Sequence, residues 1–294
     1  MLSPVYFDVE PYRLLQARLA QAVAGLPFEP QFVVVDDSAG VDPEVRALEA
    51  LPGVRVIVPP FNLGHQRAIV HGLRKLAREI DPADLVVTLD ADGEDQPQDL
   101  PRLAAVLLED QGNLRRIALA ARTRRNESPA FKVLYFFFKH FFLLLSGTVV
   151  RSGNFAAYRG WVARNVLFHP HFDLCYASSL LSLNLQIERV PCERGVRYAG
   201  RSKMTWPGLF SHGFRMLMPF ADRIAVRAMV LFAVLFAATL AGLVAVLLAG
   251  SASATAVLAL VACALLCASS LGTSLLLFAL FSQSQGLSMG RLDE

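Results

Sequence analysis

The stretch Gln31-Phe32-Val33-Val34-Val35-Asp36-Asp37-Ser38 is an apolar, β-branched run that stops on two carboxylates. A run of this kind, without alternating polar residues, is the pattern of a strand buried on both faces of a parallel sheet. Working outward, residues 54–58, 85–89 and 117–121 read the same way. Helical stretches at 11–24, 64–80 and 97–109 separate them. Such alternation predicts an α/β domain with a mostly parallel sheet and flanking helices. In open sheets of this class ligands bind outside the carboxyl ends of the strands. Asp36-Asp37 and the later Leu89-Asp90-Ala91-Asp92-Gly93-Glu94 are therefore expected to border one cleft.

The chain has 294 residues, 54% hydrophobic and 18% charged, and its mean hydropathy is +0.43. Soluble chains carry about a quarter charged residues, so the apolar excess must be concentrated somewhere. Residues 228–281 contain no Asp, Glu, Lys, Arg, His, Asn or Gln. That excludes a fully soluble protein, and the ordinary charge density elsewhere excludes a many-span transporter. The 20 Phe exclude a disordered chain. Gly250-Ser251-Ala252-Ser253 divides the run into 228–249 and 254–281, each longer than the ~20 residues that cross a bilayer core. The competing reading, two buried core helices, is disfavoured by such length without a charge.

Arg215, Arg223 and Arg227 precede the first span and Arg291 follows the second, which by the positive-inside tendency places both ends in the cytoplasm. No basic start followed by an apolar run opens the chain, so no signal peptide is expected. Residues 131–145 (FKVLYFFFKHFFLLL) are too short and too basic to span. They suit a helix at the membrane surface or a core helix of the domain. The expected organisation is a globular domain at 1–205, interfacial amphipathic helices at 206–227, a two-helix hairpin at 228–281 and a tail at 282–294. Four cysteines without CxxC spacing point to reduced thiols, and a net charge of +3 gives no argument for nucleic acid.

In an extended segment residues two apart point the same way, so Asp90 and Asp92 can face one ligand. Clustered carboxylates repel one another, and Mg²⁺ or Mn²⁺ relieves that while keeping positions open for substrate phosphates. A departing diphosphate needs the same neutralisation. Either Asp pair alone could be a turn or a helix cap; two such pairs at strand ends make a metal and diphosphate site the stronger reading. Arg197, Arg201 and Lys203 stand just before the membrane segment, where the phosphate of a membrane-borne substrate would present itself, and Arg122 follows a predicted strand. For Arg124 and Arg125 a solvated face is the simpler reading. His169-Pro170-His171 lacks a third ligand. There is no GxGxxG, P-loop or GxSxG motif, which counts against dinucleotide oxidoreductases, P-loop NTPases and hydrolases.

With these residues in place, the chain resembles the family 2 glycosyltransferases, in particular the polyprenyl-phosphate (dolichyl-phosphate mannosyltransferase-like) branch. Pro4-Val5-Tyr6-Phe7-Asp8 stands where that family has PVYNE, and Val35-Asp36-Asp37-Ser38 matches its VDDxS. Asn62-Leu63-Gly64 with Ala68 and Gly72 matches NxGxxxAxxxG, and Asp90-Ala91-Asp92-Gly93-Glu94-Asp95-Gln96-Pro97 is similar to DADLQDPP. Arg197-Tyr198-Ala199-Gly200-Arg201-Ser202-Lys203 is similar to RxAGxSK.

The resemblance implies a GT-A-type, Rossmann-like fold and inverting transfer of a single sugar from a UDP- or GDP-linked donor to a polyprenyl phosphate. The enzyme would sit in the cell inner membrane with its catalytic domain cytoplasmic. It also implies roles. Pro4, Tyr6, Asp8, Val35, Asp37, Asp90, Ala91 and Arg197 would bind the nucleotide sugar, and Asp90, Asp92 and Glu94 the metal. Arg122, Lys132 and Lys203 would hold the lipid phosphate, with Asp92, Arg122, Asn154 and Lys203 at the reacting centre. The expected partners are the donor, the lipid acceptor and the bilayer, and self-association is compatible with this reading.

Four departures stand out. Only Met1-Leu2-Ser3 precede Pro4, so the first strand is expected to be truncated or its start misplaced. Phe7-Asp8 replaces Asn-Glu, Glu94 replaces a Gln, and Ser152-Gly153-Asn154-Phe155 stands where many members carry GDF. The alternatives are transfer to a lipid hydroxyl or a non-catalytic membrane-anchored scaffold; no QxxRW supports a processive synthase.

Overall fold

The computed structural model describes residues 1–122, 129–200, 205–250 and 253–289. Among the described residues it contains a seven-stranded sheet with flanking helices, the architecture expected from the alternating pattern. In chain order the strands are β1 (Leu2–Val5), β2 (Phe32–Asp36), β3 (Val54–Ile57), β4 (Leu85–Thr88), β5 (Arg116–Arg122), β6 (Ser152–Arg159) and β7 (Gln186–Cys192). Their order across the sheet is β3-β2-β1-β4-β6-β5-β7. All neighbours run parallel except β6, which is antiparallel to both β4 and β5.

The four strands read from apolar runs occur within a residue or two of their expected limits. β1 is only four residues long, yet it is fully buried, pairs with β2 from Leu2↔Val33 to Val5↔Asp36 and touches β4 at Leu2↔Thr88. A short strand at this place suffices because both edges are satisfied by neighbours.

Helices α1 (Val9–Val23) and α3 (Leu100–Glu109) pack together on one face, and α2 (His65–Leu76), α5 (Gly160–Asn165) and α6 (Tyr176–Ser182) on the other. Val9, Tyr12, Leu15, Leu19 and Val23 form the buried stripe of α1, spaced three or four residues apart as an amphipathic helix requires. On α2 the buried stripe includes Gly72. A Cβ there would lie 2.5 Å from Val35 Cγ2 and 2.7 Å from Leu2 Cδ1. Only glycine lets the helix settle this closely over β1 and β2.

Helix α4 (Pro129–Ser146) follows β5, and α7 (Trp206–Leu217) exposes Trp206, Phe210 and Phe214. Two compact units emerge, one of residues 1–139 and 149–219, the other of 140–148 and 220–294. The second holds α8 (Ala221–Leu248) and α9 (Ala254–Met289), which pack along each other. Within it, Arg227 Nη1 donates to the Leu144 carbonyl at 2.8 Å and the Phe142 and Phe220 rings meet edge to face. α8 and α9 are long and apolar enough to cross a membrane, and almost none of their apolar residues are buried in protein. Core helices of a soluble protein would hide that surface, so the expected two-span hairpin is the reading that fits.

Candidate active site

Each strand end delivers a different part of the site. At the end of β2, Asp36 turns back on its own loop. Its Oδ1 accepts from Ser38 N (3.0 Å) and Ser38 Oγ (2.6 Å), and its Oδ2 from Gly40 N (2.9 Å). That is a turn-forming aspartate. Asp37 instead reaches across to the entry of α2, accepting from the backbone N–H groups of Leu63 (2.9 Å) and Gly64 (3.1 Å). The Asn62 side chain donates to the Asp37 carbonyl at 2.7 Å. The VDDxS and NxG segments are thus joined directly. Burial raises the Asp37 pKa, against the lowering effect of the two N–H donors.

Beyond β4 the chain passes through Asp90-Ala91-Asp92-Gly93-Glu94-Asp95. Asp90 Oδ1 is met by His65 Nε2 at 2.8 Å and by Asn154 Nδ2 at 2.9 Å. Burial penalises this carboxylate, but His65, Arg122 and Asn154 together hold it well below the ordinary carboxylate range. Burial also opposes charge on His65, yet Asp90, Asp37 and Asp92 raise its pKa overall.

Asp92 accepts from the Glu94 N–H at 3.0 Å through Oδ1 and from Arg197 Nη2 at 2.9 Å through Oδ2. Arg197 Nη1 donates at the same time to Asp8 Oδ1 at 3.1 Å, so one guanidinium spans the two carboxylates. Burial and the nearby Asp90 push Asp92 upward, and they do the same to Asp95. Gly93, with φ of +82°, makes the turn between them; a Cβ on it would run into the Tyr198 ring. Arg122, at the end of β5, lies 3.6 Å from Asp95.

Asn154 comes from β6. Its Nδ2 faces His65 Nε2 at 2.8 Å as well as Asp90, and its Oδ1 accepts from Gln66 Nε2 at 2.5 Å. Gln66 Oε1 in turn accepts from Ala177 N at 3.0 Å at the start of α6. The amide is therefore held from both ends.

Of the residues expected from sequence, Asp8, Asp90, Asp92, Arg122, Asn154 and Arg197 come together at the strand ends, with Asp37 beside them. Glu94 is ion-paired with Arg194, whose Nε lies 2.8 Å from Glu94 Oε2, and its charge still acts on Asp92 and Arg122. Pro4 and Val35 are register partners within the buried sheet, and Ala91 is buried in the turn after β4. Tyr6 is half exposed just after β1. Lys132 and Lys203 lie outside the residues whose side chains are described. Sequence reasoning missed His65, Gln66, Asp95 and Arg194. For His65 and Gln66 a signal existed, because both directly follow the glycine of the NxG segment.

Donor chemistry decides whether the site suits a divalent cation. Asp90 and Asp92 offer hard oxygens, and burial, followed by repulsion from Asp90, raises the pKa of Asp92 and Asp95. Among the described residues, no three His, Cys, Asp or Glu side chains are grouped to hold a metal. The donor set fits a cation held by two carboxylates and completed by ligands from outside the protein.

Similarity to known proteins agrees with the geometry. A stretch of 114 residues, 37% of this chain, is 32% identical to the undecaprenyl-phosphate 4-deoxy-4-formamido-L-arabinose transferase of Sodalis glossinidius (strain morsitans). Over a stretch of the same length it is 30% identical to the protein of that name from Proteus mirabilis (strain HI4320). The matched stretch spans 33% of each relative. Among solved structures, 4-diphosphocytidyl-2C-methyl-D-erythritol synthase aligns at 13% identity and a TM-score of 0.42, over 73% of this chain and 97% of that one. Residues 9–166, more than half of the chain, match the family described as Glycosyl transferase family 2, and the chain belongs to that family.

Proposed function

We propose that the chain transfers one sugar, with inversion, from a nucleotide-sugar donor to a polyprenyl phosphate at the cytoplasmic face of the inner membrane, anchored there by α8 and α9. The observation that carries this reading is the amide at position 154. The relatives are named for transfer to undecaprenyl phosphate. A hydroxyl acceptor needs a general base within hydrogen-bond reach. The side chains around Asn154 Nδ2, itself unable to take a proton, are His65, which is paired with Asp90, and Asp90, which its neighbours hold ionised and so only weakly basic. A phosphate monoester has a second pKa of about 6, so its oxygen is already an anion and no base is required.

In the proposed step an acceptor phosphate oxygen attacks the anomeric carbon as the bond from that carbon to the nucleoside diphosphate breaks. The electron pair leaves with the diphosphate. Asp90 and Asp92 would hold Mg²⁺ or Mn²⁺, which neutralises the diphosphate charge that builds up. Arg122 and Arg197 present guanidinium groups suited to phosphate oxygens on either side. Asp8 and Asp37 border the donor's nucleoside end, and the fixed Asn154 amide orients a sugar hydroxyl or the acceptor. Lys132, Lys203 and the aromatic face of α7 lie on the segments assigned to the lipid side.

Purified protein supplied with Mn²⁺ and a panel of labelled UDP- and GDP-sugars tests this assignment. Label should enter polyprenyl phosphate and not the corresponding polyprenol. Efficient glycosylation of the alcohol would favour transfer to a lipid hydroxyl instead. Nucleotide binding without transfer to either acceptor would leave the scaffold reading standing.

A further inference from the structure

Along the outer side of α2, starting at Leu63 next to the carboxylate cleft, lies a cavity of about 390 Å³. Its walls include Arg67, His71, Arg74 and Lys75 from the helix, with Phe172 and Asp173 opposite. The four basic positions fall at i, i+4, i+7 and i+8, one continuous stripe opposite the buried face of α2. The helix contains no acidic residue at all.

Two ordinary explanations account for only part of this. Cations in the last turn are favoured by the helix dipole, which covers Arg74 and Lys75. Arg67 lies in the first turn of the helix, where that dipole opposes positive charge, and His71 lies near its middle, where the dipole lends it little support. Exposed stripes are commonly stabilised by Glu–Lys pairs four residues apart, while like charges at that spacing destabilise; here Arg67, His71 and Lys75 stack at that interval. One carboxylate answers them, and it is taken: Asp173 Oδ1 accepts from Arg74 Nη1 at 2.5 Å. Arg74 is fixed further by donating from Nε to the Leu167 carbonyl at 2.9 Å. Arg67 is anchored by Nε to the Leu63 carbonyl at 2.9 Å, which leaves its Nη groups for another acceptor. Burial, and after it the charge of Lys75, lower the His71 pKa. Buried Phe172 gives a rigid apolar floor.

We infer that this cavity is a second anion site, binding a phosphate-bearing ligand through Arg67, Lys75 and His71 around the preformed Arg74–Asp173 pair. Phosphate is the chemistry that multiple convergent nitrogen donors fit best. Its source is either a soluble phosphate or the headgroup of an anionic lipid.

Hydrogen exchange on the full chain in nanodiscs separates these. One arm uses phosphatidylcholine discs with millimolar inorganic pyrophosphate, the other phosphatidylglycerol-containing discs without it. The amides of α2 should become protected in at least one arm, and which arm identifies the source. Protection should require at least about tenfold more ligand in Arg67→Gln/Lys75→Gln, and should be unchanged in Arg13→Gln, a control on α1. Absence of protection in both arms, or equal protection in the double variant, would overturn the assignment.

Discussion

Asp92 is pulled in two directions: Arg197 donates to it at 2.9 Å, while burial and Asp90 disfavour its charge. Replacing it with Asn keeps the shape and removes the counter-charge. Asp92→Asn should therefore lower transfer by at least about a hundredfold while the protein stays folded, and excess chelator should have a comparable effect on the unaltered protein. Full turnover under chelation would remove metal from the account. The titration of this cluster gives a second expectation. Asp92 is raised to about 6, Asp95 to about 7, and His65 lies above its ordinary value. Each binds a proton more tightly folded than unfolded, so stability grows as pH falls through these values. Asp92→Asn, which fixes that side chain in a neutral form at every pH, should thus raise the melting temperature more at pH 8 than at pH 6, while in the unaltered protein the buried N-terminal amine, lowered to about 6, acts in the opposite sense. Asp90 acts in the opposite sense only at lower pH. In the sequence Asp36 and Asp37 were indistinguishable, because the backbone donors that separate them come from Ser38 and Gly40 in one case and from Leu63 and Gly64 in the other. The Gln66–Asn154 bond closes a loop of 88 residues, a separation no local pattern reports.

Among the elements, α2 links the sheet, the cleft and the basic cavity, and its seat depends on Gly72. Gly72→Ala gains helix propensity but forces a methyl against Val35 and Leu2 within a closed core. The net should be a loss of about 1–2 kcal/mol, read as a lower denaturation midpoint with the same slope; a rise would show that the sheet yields easily. β2, β3, β4 and β5 were legible because their apolar runs are dense. β6 was not: Ser152-Gly153-Asn154-Phe155-Ala156-Ala157-Tyr158-Arg159 lacks β-branched residues and owes its extended form to β4 and β5 on either side. β7 escaped for a related reason. As the strand beside β5 at the sheet edge it alternates exposed Glu188, Arg189 and Pro191 with buried Val190 and Cys192, and edges tolerate proline. The helical stretch from 64 to 80 was expected four residues too long, since α2 ends at Leu76 and gives way to turns.

For the molecule as a whole, the hairpin was the most legible feature, because an uninterrupted apolar run has one physical solution in a bilayer. The outward-facing side chains of α8 and α9 predict that the full chain stays with membranes after carbonate washing and enters solution only with detergent. Recovery in the carbonate supernatant would contradict the two-span reading. The same hairpin carries a further consequence. Between 228 and 281 it offers no charge, imidazole or amide, and hydroxyls such as those of Thr239, Ser269 and Thr273 bond back to carbonyls of their own helix. A glycolipid made as proposed would therefore find no charged or amide path along α8 and α9 and would keep its head on the side of the donor pool. Under that proposal, use of the sugar on the far side would call for a separate translocating protein between this step and the next.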